Sequence, residues 1–174
     1  MIPVNIMGLK PPNDTQLLAR IVLLCNVEVE LVQLLLQNNY NPNYPQNCSD
    51  IISVTIDGRT TSVDMSPLHL AMYEGQKDIT ELLLKYGAEV NRQTKLGKTA
   101  LHMASMFGHT DALELLLQHG CDIDAVDCGN NTALAYAING QHPSTTKLLI
   151  EGGASLENIN DNDASFLDMV LFFN

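Results

Sequence analysis

Ser66-Pro67-Leu68-His69-Leu70-Ala71 is the stretch that decides the fold, because its pattern returns three times at a constant spacing. The later copies begin at residues 99, 132 and 165, each 33 residues after the one before. They read Thr99-Ala100-Leu101-His102-Met103-Ala104, Thr132-Ala133-Leu134-Ala135-Tyr136-Ala137 and Ser165-Phe166-Leu167-Asp168-Met169-Val170. An apolar triplet and then a glycine follow the first three copies with the same period, at Leu82, Leu115 and Leu148 and at Gly87, Gly120 and Gly153. A shared period of this length indicates a chain made of repeated structural units.

Each unit is predicted to contain two short helices. The hydroxyl residue that opens each copy is a good N-cap, because its oxygen can accept a hydrogen bond from an orphan backbone N–H in the first helical turn. Leu68 and Ala71 lie three residues apart and share one face of the first helix, which is predicted to end near Gly75. The apolar triplet gives the second helix its stripe, and Gly87 suits a left-handed end. Neither helix can bury its stripe alone, so the units must stack.

These residues resemble the ankyrin repeat, whose TPLHxA motif has the same period. The resemblance covers residues 66–170 strongly and residues 15–43 weakly, where Asn39 takes the place of a glycine. It departs from the family pattern at Ala135 and Asp168, which replace the motif histidine, and at Gln141, which replaces a loop glycine. The resemblance implies an all-α ankyrin-repeat solenoid of stacked helix pairs with β-turn or hairpin tips.

The chain is predicted to form one ankyrin-repeat domain over residues 1–174, with an insertion after its first unit. From Leu36 to Leu84 the spacing is 48 residues, fifteen more than the period. The first unit is expected to hold helices at about 15–25 and 29–37. The closing segment is interpreted either as a half-unit or as the cut edge of a longer natural protein. The predicted parts are a divergent first repeat (15–43), a hairpin insertion (44–65), second, third and fourth repeats (66–98, 99–131 and 132–164) and a half-repeat cap (165–174).

Residues 52–63 carry the signal of a β-hairpin. Ile52, Val54 and Ile56 alternate with polar residues before Asp57-Gly58, a pair that favours a two-residue turn. Counting outward from that turn pairs Ile56 with Arg59, Val54 with Thr61 and Ile52 with Val63. The hairpin is interpreted either as a cover for neighbouring turns or as a partner-binding arm, since an isolated ribbon is marginal in water.

Composition narrows the classes of partner. Nine basic against twenty acidic residues give a net charge of −11, which disfavours nucleic acid and membrane surfaces as partners. Apolar runs such as Ile21 to Cys25 are too short to cross a bilayer, and the first residues lack the pattern of a signal peptide. Four cysteines without a CxxC pair are typical of reduced thiols, so we expect a cytoplasmic protein that can also be nuclear.

No candidate chemistry assembles in the sequence, so no enzymatic activity, cofactor or metal is predicted. The resemblance implies a structural role for His69 and His102. The nucleophile elbow GxSxG and the phosphate loops GxxxxGK[ST] and GxGxxG are absent from the sequence. His119, Cys121 and Cys128 offer only three zinc ligands, and the acidic run 158–163 lacks the glycine and distal glutamate of a calcium loop. Cys121 stands at an alanine position of the repeat and is predicted to belong to the core.

The remaining candidates lie on the surface, where the resemblance implies that partners dock on turn tips and on the exposed end of each first helix. Aromatic residues and methionine at those positions are the residue types of interface anchors. Against this, Met106 or Phe107 can instead fold inward against the next unit. The turn between the second and third repeats carries a basic patch, formed by Arg92, Lys95 and Lys98, which suits a partner with carboxylates beside an apolar anchor. The acidic half of the chain around Asp122, Asp124 and Asp127 suits a basic partner. The predicted partner-binding residues are Tyr73, Glu74, Met106 and Phe107 on the helices, Arg92, Lys95, Leu96 and Lys98 on the turn, and Ile52, Val54, Ile56 and Arg59 on the hairpin.

The sequence therefore predicts a non-enzymatic protein-protein interaction module that is monomeric on its own. It is expected to bind another protein through its concave groove and turn tips, as a scaffold, an adaptor or an inhibitor. The alternative is the ankyrin recognition region of a larger protein, such as a ligase substrate adaptor, a pathogen effector, or an enzyme whose catalytic domain lies elsewhere.

Overall fold

Eight helices and one hairpin make up the part of the chain that the structure describes. The computed structural model describes residues 17–22, 29–43, 52–56 and 59–157. The first unit holds α1 (Leu17–Val22) and α2 (Val29–Gln37), and strands β1 (Ile52–Ile56) and β2 (Arg59–Val63) follow it. The later units hold, in pairs, α3 (Pro67–Glu74) and α4 (Lys77–Lys85), α5 (Ala100–Phe107) and α6 (Thr110–Gln118), and α7 (Ala133–Asn139) and α8 (Pro143–Glu151).

The helices form two stacked rows. Helices α1, α3, α5 and α7 pack on one another in chain order, α2, α4, α6 and α8 form the second row, and each helix pair joins the rows. One continuous apolar core runs through the stack from Leu18 to Ala154. Within it Leu68, Leu101 and Leu134, which are equivalent in successive units, are each 1% exposed. The fold class predicted from the sequence is confirmed.

In the three motif copies that the structure describes, the opening residue caps the first helix of its unit, as predicted. Ser66, Thr99 and Thr132 are the N-caps of α3, α5 and α7, with extended backbones. In the fourth unit the Ala135 N–H donates to Thr132 Oγ1 at 3.2 Å. A satisfied cap of this kind stabilises a helix by about 1 kcal/mol, which matters because these helices are only seven or eight residues long.

His69 connects the start of α3 to the turn that leads into the third unit. The Ser66 backbone N–H donates to His69 Nδ1 at 3.2 Å, and the Ser66 hydroxyl lies 2.8 Å from the same nitrogen. Because Nδ1 accepts, the ring proton sits on Nε2, which donates to the Lys98 carbonyl at 3.1 Å. His102 repeats this bridge, with Nε2 at 3.1 Å from the Asn131 carbonyl. The two motif histidines therefore hold adjacent units together, which is the structural role that the resemblance implied.

A second set of hydrogen bonds joins each unit to the next through Asn or Asp side chains. The accepting side chain and the donating N–H are 31 residues apart in the later units but 46 apart between the first and second units. The difference of fifteen equals the excess spacing between Leu36 and Leu84, and it places the extra residues between those two units. The bonds, each 2.7 Å long, run to Asn43 from Glu89, to Asn91 from Asp122 and to Asp124 from Ser155.

The inserted residues form a two-stranded antiparallel ribbon. Its register is the one predicted, with Ile52 opposite Val63, Val54 opposite Thr61 and Ile56 opposite Arg59. The prediction came from the alternation of Ile52, Val54 and Ile56 and from counting outward from Asp57-Gly58, because a two-residue turn would leave one way to pair the strands.

Three described residues other than glycine take the left-handed backbone at positions where related units have glycine. Asn130, with a φ of 60°, is equivalent to Gly97. Asn39, with a φ of 63°, stands where Gly87 stands one unit later, as the sequence suggested. Gln141, with a φ of 54°, is equivalent to Gly75 and Gly108. A left-handed residue with a side chain costs about 1–2 kcal/mol. The sequence departure at Gln141 thus changes the residue but keeps the backbone conformation of the loop.

Several sequence predictions fall on residues that the structure does not describe. These are the half-repeat cap at 165–174, the acidic run 158–163, the ends of the predicted helix 15–25, the Asp57-Gly58 turn, and Cys25 and Cys48. In the described ranges, every helix is too short or too polar to cross a bilayer.

Acid should weaken the stack through His69. Burial lowers the pKa of His69 from its ordinary 6.5 to about 4, because protonation would put a charge inside the stack. Since the folded pKa lies below the unfolded one, this contribution to the free energy of unfolding is present above pH 6.5 and is lost as the pH falls toward 4. The gap corresponds to about 3 kcal/mol. Burial also lowers the pKa of His102, so its contribution has the same sign.

Urea unfolding at a series of pH values measures this dependence. His69→Gln should flatten the fall in the free energy of unfolding between about pH 6.5 and pH 4. His119→Gln is the matched control, because the His119 ring is exposed, and it should keep the dependence of the parent chain. If the free energy of unfolding of His69→Gln fell with pH as steeply as that of the parent chain, the His69 ring would not be the group that titrates.

Candidate protein-binding cleft

Five of the predicted partner-binding residues meet in one cleft. It encloses about 250 Å³ and lies between the first helices of the second and third units on one side and the turn between those units on the other. The predicted residues that line it are Tyr73, Leu96, Lys98, Met106 and Phe107, and the lining is completed by Asp64, Met65, Thr94 and Met103.

An aromatic pair forms one wall of the cleft. Tyr73 in the last turn of α3 and Phe107 at the end of α5 meet edge to face, with ring centroids 4.7 Å apart and planes at 68°. Such a pair is worth about 0.5–1.5 kcal/mol beyond its buried area. Phe107 is 38% exposed, so it does not fold inward against the next unit. Tyr73 and Met106 are half-buried and present one side to the cleft.

His109 fixes this wall from behind. Its Nε2 donates to the Tyr73 carbonyl at 3.1 Å, and its ring stacks on Phe107 at 6.1 Å with planes at 27°. The ring lies over Gly75, where a Cβ would come within 2.5 Å of His109 Nδ1. Gly75 also has a φ of 68°, so the position needs glycine for two separate reasons.

His109 and its equivalent, His142, were not among the residues predicted from the sequence. The His142 Nε2 donates to the Met106 carbonyl at 3.1 Å, and its ring lies over Gly108 in the same way. The two histidines are 33 residues apart, and each follows a left-handed loop residue. That spacing could have identified them, but they lie outside the TPLHxA motif that organised the search.

The turn tip that forms the opposite wall is held on both sides. Leu96 at its apex is 64% exposed, whereas Thr94 is buried and its Oγ1 accepts the Lys98 N–H at 3.1 Å. The Lys95 N–H donates to the carboxylate of Asp64, which precedes α3. The Leu96 carbonyl accepts a bond from the Cys128 N–H of the next turn at 2.9 Å. The exposed leucine thus stands on a fixed support.

The three basic residues predicted as one patch have different surroundings. Arg92 lies 3.5 Å from the carboxylate of Glu89. The Lys98 ammonium lies 4.6 Å from the centre of the Tyr136 ring, in a cation–π contact. Lys95 is exposed at the turn tip. Lys98 lines the cleft, whereas Lys95 and Arg92 do not. Lys95 is exposed and directly precedes the lining residue Leu96 on the turn tip, and we call Lys95 and Lys98 together the rim.

Asp127 holds the next turn together and is not a surface charge like Asp122 and Asp124. Burial by itself would raise the pKa of Asp127, but hydrogen bonds from the Tyr136 hydroxyl at 2.7 Å and from Asn131 and Gly129 lower it to about 2. Burial and the Asp127 carboxylate together raise the pKa of Tyr136 to about 12. Counting Asp127 as part of an acidic docking surface was therefore wrong, because its oxygens are occupied inside the turn.

The described cysteines differ in environment. Cys121 is half-buried against the core, as predicted, and burial raises its pKa to about 11, so the thiol is a weak nucleophile. Cys128 is exposed on the turn beside Lys95. In the described ranges, His119, Cys121 and Cys128 do not form a metal-binding group.

The other predicted binding residues stay predictions. Glu74 ends α3 next to Tyr73, is half-buried and does not line the cleft. Ile52, Val54, Ile56 and Arg59 lie on the paired strands of the ribbon.

The chain matches a model of a known protein family. A family model described as ankyrin repeats (3 copies) matches residues 10–94 and 68–163, which together span most of the chain. A search of curated proteins finds no significant match.

Alanine substitutions at two glycines should separate the cost of backbone strain from the cost of a clash with the His109 ring. Gly75 and Gly87 both have a positive φ, of 68° and 83°, so replacing either by alanine should lower the free energy of unfolding by about 1 kcal/mol through strain. A Cβ at Gly87 meets nothing within 4 Å, whereas at Gly75 it meets the His109 ring. We therefore expect Gly75→Ala to lower the free energy of unfolding by about 1–3 kcal/mol more than Gly87→Ala. Equal losses in urea unfolding would show that the His109 ring moves aside freely.

Proposed function

This chain belongs to the ankyrin-repeat family, whose repeats generally serve as protein-protein interaction modules, and we propose that it captures a partner protein in the cleft between its second and third units. The observation that carries the proposal is an exposed apolar cleft on an otherwise acidic protein. Phe107 and Leu96 are 38% and 64% exposed on opposite walls. Exposed apolar patches with a polar rim mark interaction sites.

The cleft is also organised in advance of binding. The Tyr73 and Phe107 rings hold each other, His109 supports both, and Asp64 anchors the opposite turn. Rigid aromatic anchors lose little side-chain entropy on binding, so more of the contact energy contributes to affinity. This supports a binding role over a purely structural one, because stability alone does not call for an exposed ring.

We propose that the chain acts without catalysis, as a scaffold, adaptor or inhibitor. The motif histidines are the residues most suited to proton transfer, and both ring nitrogens of each already bond within the stack. A net charge of −11 and the free thiols of Cys121 and Cys128 support a monomer in the cytoplasm or nucleus that binds protein and not nucleic acid or membrane.

Replacing the cleft wall should abolish capture of the partner. Phe107→Ala, alone and with Tyr73→Ala, should reduce binding of captured proteins from cell extract at least about tenfold, as for a hot-spot aromatic. The free energy of unfolding should fall by only about 1–2 kcal/mol, because the Phe107 ring is partly exposed. Leu34→Ala is the matched control, since Leu34 is also 38% exposed but lies on α2. Equal capture by Phe107→Ala and Leu34→Ala would place the binding surface elsewhere.

Removal of the hairpin should leave a folded stack. The Asn43 to Glu89 bond joins the first two units from outside the ribbon, and the strands pair with each other. We therefore expect deletion of residues 51–63 to change the free energy of unfolding by no more than about 1 kcal/mol, as for a marginal ribbon. A flexible Gly-Ser linker of equal length in place of the ribbon controls for loop length. Aggregation or early melting of both variants would favour the alternative in which the ribbon covers the stack.

A further inference from the structure

Resting on that proposed function, we propose that the cleft binds an acidic linear segment of the partner. The segment places a Leu, Met or Phe side chain between the aromatic wall and the turn tip. An Asp or Glu next to this anchor in the segment faces Lys95 and Lys98 at the rim.

The size of the cleft fits side chains and not a cofactor. Sites for small molecules enclose about 300–1,000 Å³, and this cleft encloses about 250 Å³. It is also open between a helix wall and a turn tip, which suits a chain that lies across it and inserts one residue.

The residues that line the cleft can adapt to apolar side chains of different shapes. Met65, Met103 and Met106 line the cleft together with the aromatic pair and Leu96. Methionine is flexible and polarisable, so it repacks around branched, unbranched or aromatic anchors. This favours a class of anchor, namely Leu, Met or Phe, over a single residue.

The charge at the rim is opposite to that of the chain. Although the net charge is −11, no carboxylate of the described residues lies within ion-pair distance of the Lys95 or Lys98 ammonium. Lys98 faces the Tyr136 ring instead, and Lys95 is exposed. One lysine that lines the apolar cleft and one beside Leu96, both without a carboxylate partner among the described residues, are complementary to an acidic residue next to an apolar anchor.

Asp64 is an acidic residue that lines the cleft. Its position still leaves the rim able to bind an acidic residue of the segment. Its carboxylate accepts the Lys95 backbone N–H, which fixes it at the base of the turn. An incoming carboxylate can therefore approach the lysine ammonium groups at the rim without replacing Asp64.

Selection from a random peptide display library on the full chain tests the proposal directly. The enriched peptides should carry Leu, Met or Phe within a few residues of Asp or Glu. Replacing that apolar residue by Ala in a synthetic enriched peptide should weaken binding at least about tenfold. Enrichment of basic peptides, of peptides without an apolar anchor, or of none above background would overturn the proposal.

Charge reversal at the rim then tests the acidic contact. Lys95→Glu should weaken binding of the peptide about fivefold at low salt, and the loss should shrink at high salt. Lys147→Glu on α8 is the matched control, because Lys147 is also exposed and the change in net charge is the same. Replacing the acidic residue of the peptide by its amide should weaken binding to the parent chain but not to Lys95→Glu.

The two proposals fail in different ways. Equal affinity of Lys95→Glu and Lys147→Glu for the acidic peptide would overturn the acidic contact. Capture from extract that depends on Phe107 would still support the broader function in that case. If capture is instead indifferent to Phe107, the proposed function fails as well.

Discussion

A helix of eight residues with one apolar stripe cannot stand alone, and every other feature of this molecule follows from that constraint. Leu68, Leu101 and Leu134 each lie buried between neighbouring units, so each unit completes the core of the next. Apolar contact alone would let the units slide. The bonds from His69 and His102 to the following turns, and the side-chain bonds of Asn43, Asn91 and Asp124, fix the register of the stack.

The same stacking produces the cleft. Tyr73 and Phe107 sit at the ends of first helices one unit apart, so the repeat brings their rings to 4.7 Å. His109 contributes both to the stability of the stack and to the shape of the cleft. Its ring stacks on Phe107 and donates a hydrogen bond to the Tyr73 carbonyl. The same ring lies so close to position 75 that only glycine fits there. The proposed partner-binding surface is therefore fixed by contacts that also join neighbouring units. For this reason the wall formed by Tyr73 and Phe107 can be exposed and still be ordered.

Charge is distributed in a way that composition does not reveal. The excess of acid is real, but Asp127 is occupied within its turn and Arg92 pairs with Glu89, while Lys95 and Lys98 keep their ammonium groups beside an apolar cleft. The two lysines at the rim therefore carry a charge opposite in sign to the net charge of the chain.

Spacing along the sequence was enough to predict the units, their caps, the register of the hairpin and the left-handed backbone at Asn39. The sequence also predicted Tyr73, Leu96, Lys98, Met106 and Phe107 as separate candidates for partner binding. The folded structure was needed to show that these five share one cleft, that Phe107 faces outward, that His109 supports it and that Asp127 is occupied. The cleft rests on contacts between residues about one repeat apart, such as His109 with the Tyr73 carbonyl across 36 positions. The Asp127 carboxylate is instead bonded by Gly129, Asn131 and Tyr136, which lie in its own turn and in the following helix. The spacing of residues along the sequence predicts that the units stack. Which side chains remain exposed for binding depends on the contacts that form once neighbouring units have packed.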